Sequence, residues 1–234
     1  MVNPSLSAAP LFWHALTRLG EAQILLPVLL LAAAWLTLAR GEGGLAARWL
    51  GATAAAALLT TASKIAFMGY GLGWAALDFT GLSGHAMFAA AVLPVLLAWA
   101  SGAVSLSHQG WRAAAGYGLA VAVALSRVMV HAHSTSEALG GLVLGAAASA
   151  WVLCATPPAP LRLPRWLAPA LLAWALLGVA VAPPSRTHGW VTRLALAISG
   201  RAVPYQRGQM HRDHQPQPQP MPLARSAQEP GIAG

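Results

Sequence analysis

The sequence predicts an all-α integral membrane protein, a bundle of about six transmembrane helices with a disordered C-terminal tail. Three observations predict it. The 234 residues are 57% hydrophobic and only 9% charged, with mean hydropathy +0.58; soluble domains carry about 25% charged residues. Several windows of about 18 residues hold no charge, the length at which an apolar helix can cross a bilayer. The spans follow one another with short loops, which fits one membrane domain over residues 22–182. An interfacial N-terminal segment (1–21) precedes it. A second interfacial segment (183–207) and the disordered tail (208–234) follow.

Taken in order, residues 1–21 are mildly amphipathic, with Phe12, Trp13 and Leu16 among polar residues. Trp13 and Arg18 suit a membrane interface, and the absence of a basic n-region argues against a cleaved signal. Span one is Ala22–Ala39, ended by Arg40 and a Gly-Glu-Gly-Gly turn. Span two begins near Arg48 and reaches Lys64 near its far end. The glycine-rich stretch 69–82, containing Asp78, reads as a loop or re-entrant turn. Span three runs from Ser83-Gly84-His85 to Ala100, with a kink expected at Pro94. Ser101–Arg112 is a polar loop. Span four covers Ala113 to about Val130 with Arg127 in its last turn, and span five covers about Ser136–Ala155. Gly140, Gly141 and Gly145 in span five have the spacing of close helix packing. Thr156–Arg165 is a Pro/Arg loop, and span six, Trp166–Ala182, stops at Pro183-Pro184. Residues 189–200 suit a short interfacial helix. The tail with HQPQPQPMP has no means of building a core, and His211 and His214 within it read as solvated.

Charge and cysteine usage narrow the function. The net charge of +8 is read as arginines at loop ends that hold topology and touch anionic lipid, not as a nucleic-acid surface. The single cysteine, Cys154, excludes an internal disulfide and a cysteine-based metal site. Thirteen of the 14 basic residues are arginine, which with the high alanine content fits a GC-rich bacterial genome. Nothing in the sequence specifies an oligomer.

Six antiparallel spans bring the end of span two, the start of span three, the end of span four and the start of span five to one face. Those places carry Lys64, Ser83 and His85, Arg127, and His133 with Glu137. Ionisable groups inside a membrane domain are costly and read as functional. The opposite face carries Arg40, Arg48, Arg112, Arg162 and Arg165 against Glu42 alone, so it is cytoplasmic by the positive-inside rule. The cluster and both termini then face the periplasm of a bacterial inner membrane protein. The arginines of the C-terminal tail weigh against this orientation.

Lys64 and Arg127 present donors for phosphate oxygens, and arginine can do so bidentately. Ser83 adds a hydroxyl, and Gly84 offers an open N–H at a helix start, where anions are favoured. His133 and Glu137, four apart, share one face of a helix. The carboxylate can then fix the imidazole tautomer, as in nucleophile–orienter pairs. His85, from another helix, is placed to act as general acid. The sum is an anion pocket suited to phosphoryl transfer, with no metal or other cofactor required. His131 lies outside this set. A zinc site from His131, His133 and Glu137 lacks an evident third histidine.

These three patches resemble the signature of the type 2 phosphatidic acid phosphatase family, membrane lipid phosphatases related to vanadium haloperoxidases. That signature reads K-x6-R-P, then P-S-G-H, then S-R-x5-H-x3-D. Here the third motif is Ser126-Arg127, His133 and Glu137, with glutamate for aspartate. The second is Leu82-Ser83-Gly84-His85, lacking the proline. The first keeps Lys64, but Gly71 and Leu72 stand at the arginine and proline positions. The motifs cover residues 64–137, and the helical plan extends the resemblance to about 20–182. The resemblance implies that His133 attacks phosphorus to form a phosphohistidine, Glu137 orients it and His85 protonates the leaving oxygen. It implies that Lys64, Ser83, Gly84 and Arg127 bind the phosphate. Loss of the first-motif arginine removes one positive charge, for which Arg18 and Arg186 are the candidate replacements.

The expected function is a membrane phosphatase of a lipid phosphate or polyprenyl diphosphate, with the bilayer and its lipid as the partners. The alternatives are a phosphotransferase using the same intermediate, and a degenerate, non-catalytic protein that binds anionic lipid or serves in transport.

Overall fold

The computed structural model describes residues 4–99, 106–155 and 187–215, with isolated positions between 166 and 178. It is all-helical: α1 (Pro4–Arg18), α2 (Ala22–Arg40), α3 (Gly43–Tyr70), α4 (Gly84–Trp99), α5 (Leu106–Met129), α6 (Thr135–Cys154), α7 (Thr187–Ser199) and α8 (Arg207–Asp213), plus a 3-10 turn at Ala75–Leu77. Glycine ends α2 and α3: Gly41 and Gly71 take left-handed C-cap conformations with φ of 71° and 73°. Such a position favours glycine because a side chain would crowd the backbone.

α4 is the centre of the bundle. It is apolar on every side, and Ala86, Met87, Ala89, Ala90, Ala91, Val92, Val95, Ala98 and Trp99 are all buried. A helix without a polar face is one enclosed by others, and α2, α3, α5 and α6 surround it. Trp49 of α3 donates its indole N–H to the Ala91 carbonyl at 3.1 Å and meets Trp99 edge-on at 5.2 Å. Pro94 remains inside α4.

The glycines of α6 set the site's geometry. A Cβ on Gly141 would lie 2.3 Å from the Ser83 carbonyl oxygen, and one on Gly145 would lie 2.2 Å from that of Met87. The α6 backbone therefore rests on the first turns of α4, as the glycine spacing predicts. The Ser83 N–H also donates to the Glu137 carbonyl at 3.0 Å, locking the two helix starts together.

Several expectations need revision. Three helical stretches among the described residues are long and apolar enough to cross a membrane: Leu11–Arg40, Gly43–Tyr70 and Thr135–Cys154. The six-span count is not confirmed among the described residues. α4 has only 16 residues, α5 carries Arg112 and Arg127, and most of the expected sixth span lies outside the described residues. The loop before α5 is shorter than expected, because the helix begins at Leu106. α3 begins at Gly43, five residues before Arg48. The helix expected at 189–200 is observed as α7, Thr187–Ser199, which packs on α3. The disordered tail expected from 208 is corrected at its start: Arg207–Asp213 is a helix, and Met210 is buried against Phe67, Met68 and Ala195. Composition had assigned these residues to the Pro/Gln run, but an apolar anchor precedes that run. Residues 216–234 and the 156–165 loop lie outside the described residues.

Adding a methyl group at Gly141 or Gly145 overpacks the α4–α6 contact. Gly141→Ala and Gly145→Ala are each expected to destabilise by about 1–3 kcal/mol, read as a lowered Tm in detergent. Gly118→Ala, which meets nothing within 4 Å, serves as the control with no loss.

Candidate active site

The 71–83 loop is fastened at five points. Trp74 and Phe79 form an antiparallel bridge. The Leu82 N–H donates to Ser63 Oγ at 3.0 Å, the Ser136 hydroxyl donates to the Leu77 carbonyl at 2.7 Å, and Thr80 and Ser83 both bond Glu137. Gly81, with φ of 138°, lets the loop lie on the Lys64 stem, where a Cβ would come within 2.9 Å of Lys64 Cγ. The expected re-entrant turn is thus an ordered wall of the site.

The α5–α6 turn is built by two local motifs. α5 ends with His131 in the left-handed region at φ 54°. Its N–H bonds the Val128 carbonyl at 2.9 Å, and the Ala132 N–H bonds that of Arg127 at 3.0 Å. This is a Schellman closure with histidine in the glycine position, so His131 has a backbone role. α6 then starts with a capping box, in which Ser134 Oγ accepts from the Glu137 N–H at 3.4 Å and Glu137 Oε2 accepts from the Ser134 N–H at 3.1 Å. Glutamate three residues after the N-cap is the acid with the reach for this motif, a physical account of glutamate where the resemblance expects aspartate. His133 and Glu137 are therefore not both on a helix. His133 precedes the N-cap, and its Nδ1 meets Glu137 Oε2 at 2.8 Å across the turn.

Glu137 is 0% exposed, yet its carboxylate is saturated. It accepts from the Thr80 N–H at 2.7 Å, the Thr80 hydroxyl, His133, Ser134 and the Arg207 guanidinium, whose Nη2 is 2.8 Å from each oxygen. Burial pushes the His133 imidazole below the ordinary histidine value of 6.5, against the opposing effect of the hydrogen bond that Glu137 accepts from it. His133 is then neutral at pH 7. With Nδ1–H donated to Glu137, Nε2 carries the free lone pair.

A cavity of ≈ 920 Å³ joins these groups: Lys64, Gly84, His85, Arg127, His133 and Glu137 all line it. Six of the seven residues expected to form the site thus converge. Ser83 does not line the cavity; it is fully buried and its hydroxyl has no hydrogen-bond partner among the described residues. Arg127 is steadied from α1, where Nη1 donates to Thr17 Oγ1 at 2.8 Å, while its buried Nε is unpartnered among the described residues.

Four contributors were missed. Thr80, Thr17 and the buried, cavity-lining Glu21 had no motif to mark them. Arg207 lies 70 residues from Glu137 in a stretch whose composition pointed elsewhere. Of the arginines expected to replace the one missing at position 71, Arg18 pairs with Glu21 at 3.4 Å and Arg186 lies outside the described residues. Asp78 in the loop bonds Arg207 and His211, so His211, expected to be solvated, is paired as well. Tyr70 is exposed and is not among the cavity-lining residues.

A family model described as the PAP2 superfamily matches residues 60–160, an interval containing every residue expected to form the site. The chain is 39% identical over 141 residues to an uncharacterized 22.5 kDa protein in the cps region of Klebsiella pneumoniae, covering 60% of this chain and 68% of that protein. No solved structure gives a significant match.

Two outcomes follow. The acid limb of any His133-dependent activity should lie below pH 6.5, with activity held at neutral pH and lost as pH falls through the lowered value, measured as kcat/KM against pH. His131→Gly should keep activity and lose no stability in a melting assay, because glycine accepts the left-handed position at no steric cost.

Proposed function

This chain belongs to the PAP2 superfamily, and from that premise we propose that it is an integral-membrane phosphatase. Its substrate would be a lipid phosphate or polyprenyl diphosphate, its intermediate a phosphohistidine, and its site open to the extracytoplasmic side. Phosphatase-type activity is what the superfamily implies; the rest is argued from the site. The observation that carries it is the His133–Glu137 pair, at 2.8 Å, set on one cavity with His85 and the cations Lys64 and Arg127.

In this reading Lys64, Arg127 and the Gly84 N–H hold the phosphoryl oxygens and stabilise charge as it develops. His133 Nε2 attacks phosphorus, forming the N–P bond as the bond to the leaving oxygen breaks. Glu137 holds the Nδ1 proton and balances the positive charge on the ring. The negative charge of the bound phosphoryl group favours the protonated form of His85, which donates that proton to the leaving oxygen. Water then attacks the phosphohistidine, giving its proton to His85, and inorganic phosphate leaves with His133 restored. Discharge to a second lipid instead of water would make the protein a phosphotransferase. Ser83 contributes through its backbone, tying α4 to α6.

A lipid substrate is supported by the mixed lining of the cavity, where Leu26, Ala57, Phe88, Trp190 and Val191 stand beside the charged residues. The orientation is supported by Arg40, Arg48 and Arg112 at the other end of the helices.

The test is phosphate release by the purified protein from polyprenyl diphosphate, phosphatidic acid and phosphatidylglycerol phosphate, with and without EDTA. Release should survive EDTA and fall on the order of 10³-fold in His133→Ala. Equal inertness of wild type and variant on every lipid, with no transfer to an added acceptor lipid, would favour a non-catalytic lipid-binding protein.

A further inference from the structure

We propose that Arg207, carried on α8, is a positioning residue for the His133–Glu137 pair, and that the segment 204–213 is seated on the bundle to deliver it. The proposal rests on the phosphatase reading for its consequence in turnover.

Arg207 lies outside the interval that matches the family, 60–160, yet it makes the only side-chain ion pair to Glu137 from a permanently charged group among the described residues. Its Nη2 spans both Glu137 oxygens at 2.8 Å and lies 3.3 Å from Thr80 Oγ1. Its Nη1 bonds the Asp78 carbonyl at 2.9 Å and the Asp78 carboxylate. One guanidinium thus ties the buried carboxylate to the loop that walls the site. Arg207 lines the cavity, but both its terminal nitrogens are committed to oxygens of Glu137, Thr80 and Asp78, so the residue orients Glu137 and is not a free phosphate ligand. A planar fork suits two acceptors at fixed angles, which an ammonium cannot match.

The segment has its own anchors. The Tyr205 N–H donates to the Met68 carbonyl at 2.8 Å, and the Tyr205 ring meets Phe67 edge-on at 5.4 Å. The ring also covers Gly71, where an added Cβ would lie 3.4 Å from Tyr205 Cε1. Met210, 1% exposed, sits with Phe67, Met68 and Ala195, and Gly73 leaves it room, since a Cβ there would lie 2.7 Å from its sulfur. His211 closes the arrangement on Asp78 at 2.7 Å. A chance approach of a surface arginine would not come with a buried side chain, a backbone hydrogen bond and two glycines shaped to receive it. Glycine at position 71, where the resemblance expects arginine, is thus the floor on which Tyr205 rests.

The experiment compares Arg207→Ala, Arg207→Lys and Met210→Asp with wild type, in full-length protein. In Arg207→Ala, kcat should fall roughly 10- to 100-fold with KM changed by less than about threefold, because orientation of the nucleophile is lost and substrate binding is not. Added guanidinium at millimolar concentration should restore part of that loss. Arg207→Lys should be intermediate. Met210→Asp, which unseats the segment, should reproduce the loss of kcat. A second readout needs no turnover: in ¹⁵N-histidine-labelled protein the downfield Nδ1–H resonance of His133 should shift or vanish in Arg207→Ala and return with guanidinium. Wild-type turnover in Arg207→Ala would overturn the proposal, as would a raised KM at unchanged kcat or a raised kcat, the last marking an inhibitory strap. An unchanged His133 resonance would overturn it too. If wild type turns over no lipid phosphate, the phosphatase reading fails alone, and the resonance still decides whether Arg207 holds the pair.

Discussion

The structure depends on a carboxylate that has been taken out of water. Transferring an ionised group to a dry site is prohibitive unless it is paired and hydrogen-bonded. Glu137 meets that requirement by drawing donors from four places: the 71–83 loop through Thr80, the α5–α6 turn through His133, its own helix start through Ser134, and α8 through Arg207. Each partner is fixed because Glu137 needs it, and Glu137 is fixed because all of them converge. A network of this kind is rigid when complete and costly when one member is removed. That rigidity is what a nucleophilic histidine needs from its partner.

The scaffold serves that point through close contact of backbones. α4 has no polar face and so becomes the axis around which the other helices are arranged. Because Gly141 and Gly145 let α6 rest directly on α4, His85 at the start of one helix and Glu137 at the start of the next are brought to the same end of the bundle. α1 adds to this by placing Thr17 under Arg127. The segment that reads as a mere entry to the membrane supports a guanidinium that lines the cavity.

What the sequence made legible was local or periodic. Apolar windows marked the helices, and the glycine triplet marked the α4–α6 contact. The spacing of Lys64, Gly84, His85, Arg127, His133 and Glu137 is enough to bring the cavity's polar lining to one end of the bundle, although Ser83, in the same motif, is not part of that lining. The right pair was found for a partly wrong reason: four residues apart suggested a shared helical face, whereas a capping box brings the side chains together across the N-cap. What stayed illegible was long-range. Thr80, Thr17 and Arg207 become partners only through the fold, and a sequence window holds no trace of a contact made 57, 110 or 70 residues away. The expected disorder of the tail is corrected only at its start: residues 208–213 are helical because Met210, just before the proline and glutamine run, is buried beside Phe67 and Met68.

The distance of Arg207 along the chain also bears on how the protein is made. During synthesis the helices that carry both histidines and the carboxylate emerge and can pack before α8 exists. At that stage Glu137 can have Thr80, His133 and Ser134 as donors but not the Arg207 guanidinium. Docking of α8 completes the network from the far side of the chain, and a chain cut short of residue 207 lacks the one guanidinium that pairs with Glu137 among the described residues. Quality control of such a chain would read its far end, not its signature motifs.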